Sequence, residues 1–353
     1  MQRSIQELSW TWRGQSIAYT LVAPENGPPS ERAVLCIHGF GANRRHWRHN
    51  LEPLAQDCRL YAIDLLGFGN SAKPISQLKG EPETAGAVRY GFDLWAEQVV
   101  EFCQQVIGLA GPGPSSDDLA ADTAAVTTVA SQIVATETVA APNLQLIGNS
   151  IGAVVALNAA RMLVERGLPP SQLLLIDCAE RELDIKRLGE QPWAAQLGRP
   201  LLMALVRQRW LIGSLFTWLA RPAVVRQVLR QAYPSGRNVD DELVDLLLRP
   251  AREPGARESF RGFVNLFDDW LAPQLLERLS RQQPSLPVRL LWGERDPWEP
   301  LAEAQRWRHD YPCVQDLRVL PEVGHCPHDE APDLVNPILR EWLALGWRET
   351  PSG

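Results

Sequence analysis

A serine hydroxyl is a useful nucleophile only when it is held exposed and supplied with a base. Ser150 has the setting for the first requirement. It lies in Gly148-Asn149-Ser150-Ile151-Gly152, preceded by the apolar run LQLI and followed by AVVALNAARML. A strand, a tight turn and a helix in that order present the serine at the top of a sheet. A side chain at either glycine would press on the neighbouring strand or helix. The pattern GxSxG alone is weak; the strand before it and the helix after it make it specific. Unpaired amides at the start of that helix, led by the N–H of Ile151, point at whatever sits on Ser150 Oγ and suit an oxyanion. A second donor is expected from HGFGANRRHW at 38–47. There Gly39 and Gly41 let the backbone approach, and the N–H of Phe40 is the candidate.

The base is expected at His325, in VGHCPHDE. His328 competes nearby, but it leads into the final helix, where a capping role suffices. His38 sits in the glycine loop and suits a structural hydrogen bond, while His46, His49 and His309 fall in surface helices. The orienting acid is expected at Asp296, in LLWGERDPWEP, just beyond a buried strand. It would accept Nδ1–H of His325 and stabilise the imidazolium. Asp177, at the end of LLLID, is the rival. Together these groups predict an acyl-enzyme pathway for ester cleavage. No metal is expected, because no HxH, HExxH or cysteine pair offers ligand spacing. Asp64, in DLLGFGNS, is expected to bond backbone in its own loop. No GxGxxG opens a helix after a strand, so no cofactor is expected either.

The positioning elements alternate. Strands are predicted at 16–22, 33–40, 59–69, 143–148, 172–179, 287–296 and 313–325. Helices are predicted over HWRHNLEPLAQ, 92–107, 151–167 and 332–346. Residues 111–142 are a biased Ala/Thr/Val/Ser stretch that reads as a surface insertion. From 180 to 283 no strand signal recurs, and helices broken by Pro192, Pro200, Pro222, Pro234, Pro250 and Pro273 are expected. The pattern is one α/β core of two parts, 1–179 and 284–353, interrupted by a helical cap at 180–283.

Composition narrows the function. Of 353 residues 45% are hydrophobic and 22% charged, ordinary for a globular chain with a large core. The net charge of −7 argues against nucleic acid as a partner. No signal-peptide pattern opens the chain, and no apolar run reaches the roughly 18 residues needed to span a bilayer, so a cytoplasmic location is expected. Six separated cysteines, at 36, 58, 103, 178, 313 and 326, suggest reduced thiols. Among 13 tryptophans, two fall in PLLMALVRQRWLIGSLFTWLA at 200–220. Trp210, Phe216 and Trp218 either pack the cap onto the core or bind a long apolar chain as a pocket wall. A third reading lays the segment on a membrane, with Arg207 and Arg209 at headgroup level.

HGFGAN, DLLGFGNSAKP, GNSIGA, LWGERDPWEP and GHCPHDEAPDLVN together resemble the α/β-hydrolase superfamily. Within it they are similar to the plant and cyanobacterial branch of pheophytinase and chlorophyll dephytylase. The resemblance covers the chain apart from 111–142 and, loosely, the cap; Ala153 departs from the glycine often seen after the serine turn. It implies a mostly parallel sheet with helices on both faces, a helical cap after the sixth strand, and the order Ser…Asp…His. The implied substrate is a small hydrophobic ester, acyl or prenyl, with the phytyl ester of chlorophyll pigments as the branch's own. A C–C bond hydrolase, an acyltransferase or a binding protein on the same scaffold are the rivals.

Overall fold

The computed structural model describes residues 3–24, 31–109, 143–181, 184–190 and 193–347. The stretch expected as an insertion at 111–142 lies outside them. Among the described residues eight strands form one sheet: β1 (Arg3–Trp12), β2 (Gln15–Pro24), β3 (Arg32–Ile37), β4 (Arg59–Ile63), β5 (Asn143–Asn149), β6 (Gln172–Ile176), β7 (Val288–Gly293) and β8 (Val314–Leu320). Their order is β1-β2-β4-β3-β5-β6-β7-β8. Both pairings of β2 are antiparallel and every other pairing is parallel. The expected α/β class therefore holds.

Why the central strands lack a polar side follows from what covers them. Successive residues point to opposite faces. Leu35 and Ile37 join one apolar cluster with Trp95 and Ala156, whereas Val34 and Cys36 join another with Trp47 and Trp342. The first face is covered by α1 (Phe92–Phe102) and α2 (Ile151–Glu165); the last helix, α10 (Pro332–Gly346), covers the second. With both faces dry, each central strand reads as a continuous apolar run.

Between β6 and β7 come α3 (Trp193–Arg207), α4 (Arg209–Leu219), α5 (Pro222–Ala232), α6 (Asp241–Ala251), α7 (Ala256–Val264) and α8 (Ala272–Gln282); α9 (Leu301–Asp310) precedes β8. Ala272, Leu275, Leu276 and Leu279 place α8 in the main core. Of the prolines expected to break helices, Pro222 and Pro273 stand in first turns, but α3 continues through Pro200 and α6 through Pro250. At these points the helix forgoes a hydrogen bond instead of ending.

Three further readings are corrected. β1 was not foreseen, because only Trp12 of its described side chains is buried and an edge strand shows no apolar run. Its hairpin turns at Arg13-Gly14, with φ of 48° and 76°, the left-handed pair that two-residue hairpins favour. The single helix expected over HWRHNLEPLAQ is instead a 3₁₀ turn, Arg44–Trp47, and a short helix, Leu51–Leu54. His46, expected on the surface, is buried there, with Nε2 2.7 Å from the Tyr233 hydroxyl.

The parallel register sets the level of the loops. Ile37 stands opposite Gly148, Asn149 opposite Ile176, and Ile176 opposite Leu291. The chain leaving each strand therefore emerges at one edge, where open α/β sheets gather their ligands.

Candidate active site

Ser150 joins β5 to α2 with φ 56° and ψ −122°, a conformation uncommon for any residue with a side chain. Backbone bonds hold it there. Its N–H donates to Ile176 O at 2.9 Å, and its carbonyl accepts the Ala153 and Ala179 amides at 3.0 and 3.2 Å. The turn is tight enough to demand both glycines. A Cβ on Gly148 would lie 2.3 Å from Gly152 O, and one on Gly152 would lie 2.4 Å from Ile37 O and 2.5 Å from His38 O. Gly152→Ala should therefore destabilise the fold by about 1–3 kcal/mol through overpacking against β3. A urea titration showing an unchanged midpoint would contradict this.

His325 is held from three sides. Its N–H donates to Ala232 O at 2.9 Å at the end of α5, and its carbonyl accepts Asn149 Nδ2 at 3.1 Å. The Asn149 amide also reaches Ile176 O at 3.3 Å, tying the serine turn to the histidine loop. The imidazole Nδ1 lies 2.7 Å from Asp296 Oδ2. Oδ1 of Asp296 accepts the Trp298 and Glu299 amides at 2.8 and 3.1 Å. Burial pushes this carboxyl up, but the His325 hydrogen bond and charge, the Trp298 amide and a contact from Asp177 outweigh it. The net result lies below the usual aspartate range.

Asp177, the rival acid, faces Asp296 instead of the imidazole. It is wholly buried at φ 42°, and its Oδ1 accepts the Gly293 N–H at 2.9 Å. Burial, and then the charge of Asp296, push its carboxyl well above the usual range. Burial beside the Asp296 carboxylate thus favours the protonated form of Asp177. Unfolding releases that proton above the ordinary carboxylate range. The folded state thus loses stability as pH climbs from there toward the folded pKa of Asp177, at about 1.4 kcal/mol per pH unit. Asp177→Asn removes this dependence. Its stability relative to the parent should rise as pH climbs above the ordinary carboxylate range. Urea midpoints whose difference stays flat with pH would show that Asp177 is ionised in the fold.

Ser150, Phe40, Ile151 and His325 open onto one cavity of about 530 Å³. Gly39 packs so closely on the serine that an added Cβ would stand 3.2 Å from Ser150 Cβ. Opposite the serine the wall is apolar: Phe216 of α4, Val225 of α5, Leu248 of α6, and Phe260 and Phe263 of α7. The Phe40 ring stacks on Phe263 with centroids 3.8 Å apart. Trp298 sets its ring edge against His325, with centroids 4.7 Å apart.

Of the three aromatic residues expected to contact substrate, only Phe216 lines this cavity. Trp210 and Trp218 are 72% and 49% exposed and lie outside it. At about 100° per residue, 218 falls about 80° from 210 around α4, and 216 about 240°. One helix cannot turn all three inward. Phe260 and Phe263 were missed, although their three-residue spacing in RESFRGFV is the signal of an inward helical face.

Two polar residues in these loops are structural. His38 Nε2 accepts the Leu65 amide at 3.1 Å, so Nδ1 carries the proton and donates to Gly39 O at 2.7 Å. Asp64 accepts the amides of Arg44 and Asn70 at 2.6 and 2.8 Å, and the Arg44 guanidinium as well. It bonds loop backbone, as expected, and fixes the chain leading into the glycine loop.

A sequence model described as the alpha/beta hydrolase family matches residues 34–338. Chloroplastic pheophytinase of Arabidopsis thaliana is 25% identical over 343 residues, covering 88% of this chain and 61% of the plant protein; the chain thus spans less than two thirds of that relative. The (lyso)-N-acylphosphatidylethanolamine lipase of Mus musculus is 22% identical over 91% of this chain and 81% of the lipase. The solved structure of a probable hydrolytic enzyme from Pseudomonas aeruginosa PAO1 overlays with a TM-score of 0.64 at 19% identity, covering 98% of this chain and 94% of the other. With a family model matched over residues 34–338, the chain belongs to the α/β-hydrolase family.

Proposed function

We propose that the chain is a serine hydrolase cleaving the carboxylic ester of a hydrophobic acyl or prenyl compound, with Ser150, His325 and Asp296 as its triad. One observation carries the reading: the imidazole bonded to Asp296 and the hydroxyl-bearing turn open onto the same apolar cavity. With Nδ1–H of His325 donating a hydrogen bond to Asp296, Nε2 is the basic nitrogen. It takes the Ser150 Oγ proton as Oγ attacks the ester carbonyl, and the N–H groups of Phe40 and Ile151 hold the oxyanion. His325 then protonates the departing alcohol. In the second half it deprotonates water, which attacks the acyl-enzyme and frees the acid and the serine.

The wall of Phe216, Phe260 and Phe263 supports a long apolar chain over a short polar one, since a cavity of this size binds mainly by apolar burial. The names of two relatives, a pheophytinase and a lipase, support the same class. A phytyl ester is therefore the first substrate to try.

A fluorophosphonate probe should label the folded protein at Ser150, and p-nitrophenyl esters should be cleaved faster as the acyl chain lengthens from acetyl. Folded protein unlabelled at Ser150 would favour a binding role on this scaffold. Cleavage of vinylogous diketones in preference to any ester would instead move the reaction to carbon–carbon bonds.

A further inference from the structure

A helix that only roofs a cavity turns its apolar side in and its polar side out. α3 and α4 depart from this. In α3, Leu197, Leu201 and Leu205 recur every four residues along one stripe and expose 72%, 66% and 43% of their surface. In α4 the exposed side carries Trp210 and Trp218. The two helices are consecutive and pack against each other. What α3 buries instead is Arg199, whose guanidinium lies 5.4 Å from the Phe267 ring centroid. Exposed Leu and Trp side chains recurring along two neighbouring helices, in place of the scattered single residues normal for a surface, mark a face with a partner.

Charge says which partner. The whole chain carries −7, yet residues 191–239 contain seven arginines and no aspartate or glutamate. Some of these arginines are used within the fold. Arg207 donates to Lys79 O, Arg209 pairs with Glu258, and Arg226 pairs with Asp241. Arg221 and Arg230, at either end of α5, are exposed and have no carboxylate partner among the described residues. A second copy meeting this face through the same face would set arginines against arginines. An anionic bilayer offers the complement: acyl chains for the leucines and tryptophans, and phosphates for the guanidinium groups.

We propose that α3 and α4 dock the protein on the surface of an anionic lipid bilayer. No described helix is long and apolar enough to cross a membrane, so the contact is peripheral. The inner flank of the same region lines the cavity through Phe216, Leu219 and Val228, and Val228 is itself 41% exposed. A docked molecule thus holds its cavity wall next to the lipid. Docking does not depend on the hydrolase reading.

The test is cosedimentation of the full chain with vesicles of phosphatidylcholine alone and of phosphatidylcholine with phosphatidylglycerol. Binding should be at least about tenfold tighter with phosphatidylglycerol present, and added salt should weaken it. The pair Leu201→Gln and Leu205→Gln should cut binding to the mixed vesicles about tenfold or more. The pair Arg221→Gln and Arg230→Gln should abolish the preference for phosphatidylglycerol. Neither pair touches the cavity, so both should hydrolyse a water-soluble p-nitrophenyl ester like the parent, which reports an intact fold. Absence of the chain from both pellets would overturn the proposal, as would binding that survives the leucine substitutions. Sedimentation showing a dimer that the leucine pair dissolves, without vesicle binding, would assign the face to a second copy instead. Because vesicle binding requires no turnover, an inert Ser150 would leave this result standing.

Discussion

Ser150→Ala is expected to lower kcat for p-nitrophenyl ester hydrolysis by about 10⁴-fold or more and to abolish fluorophosphonate labelling, with the protein still folded. Both halves of this outcome follow from the turn. The strained backbone is imposed by the Ile176, Ala153 and Ala179 partners of the Ser150 main chain and by the glycines on either side. None of these involves Oγ. Alanine keeps the Cβ and takes over the same φ, so the cost of that conformation is neither added nor removed. The urea midpoint should therefore stay within about 1 kcal/mol of the parent, or rise. What is lost is the only atom that forms the proposed acyl-enzyme. Any remaining rate would come from the cavity and the two backbone donors acting on water. A variant that hydrolysed esters at the parent rate would remove Ser150 from the mechanism. A variant that unfolded would instead show that the hydroxyl supports the turn.

How much of this could be read from the chain depended on whether one local pattern met one physical demand. β3, β5, β6 and β7 were legible because both sheet faces are dry, which forces an unbroken apolar run. The serine turn was legible because Gly148 and Gly152 each abut another backbone at a distance no Cβ tolerates. β1 was not, since an edge strand with a single well-buried residue looks like any polar segment. The apolar content of α4 was visible, but composition does not fix helical phase, and phase is what sends Phe216 inward and Trp210 outward. His46 was misplaced for a different reason. Its hydroxyl partner, Tyr233, lies 187 residues further on, and no local pattern announces it. Asp177 stayed a rival to the expected Asp296 for a similar cause. Both follow adjacent parallel strands at the same edge, and only the neighbourhood of β7 with β8 brings the His325 loop to the second of them.

Asp296→Asn should bring a loss comparable to that of removing the serine, about 10⁴-fold in kcat, and the hydrogen bonds around Asp296 explain why. Oδ1 is held by the Trp298 and Glu299 amides, so an asparagine must place its carbonyl oxygen there. Its amide nitrogen then occupies the position of Oδ2, facing His325 Nδ1. Two N–H donors cannot share that bond. The imidazole answers by moving its proton to Nε2, and the nitrogen needed as base toward Ser150 is blocked. The protein folds, the substrate still enters, and KM should change far less than kcat. Asp177→Asn is the control that the carboxyl pair supplies. An amide there can accept the Gly293 N–H with its oxygen, and it leaves the bond between His325 and Asp296 in place. Its kcat should stay close to the parent. Steady-state kinetics on both variants separate the roles: if Asp177→Asn suffered the large loss and Asp296→Asn did not, Asp177 would be the acid behind His325.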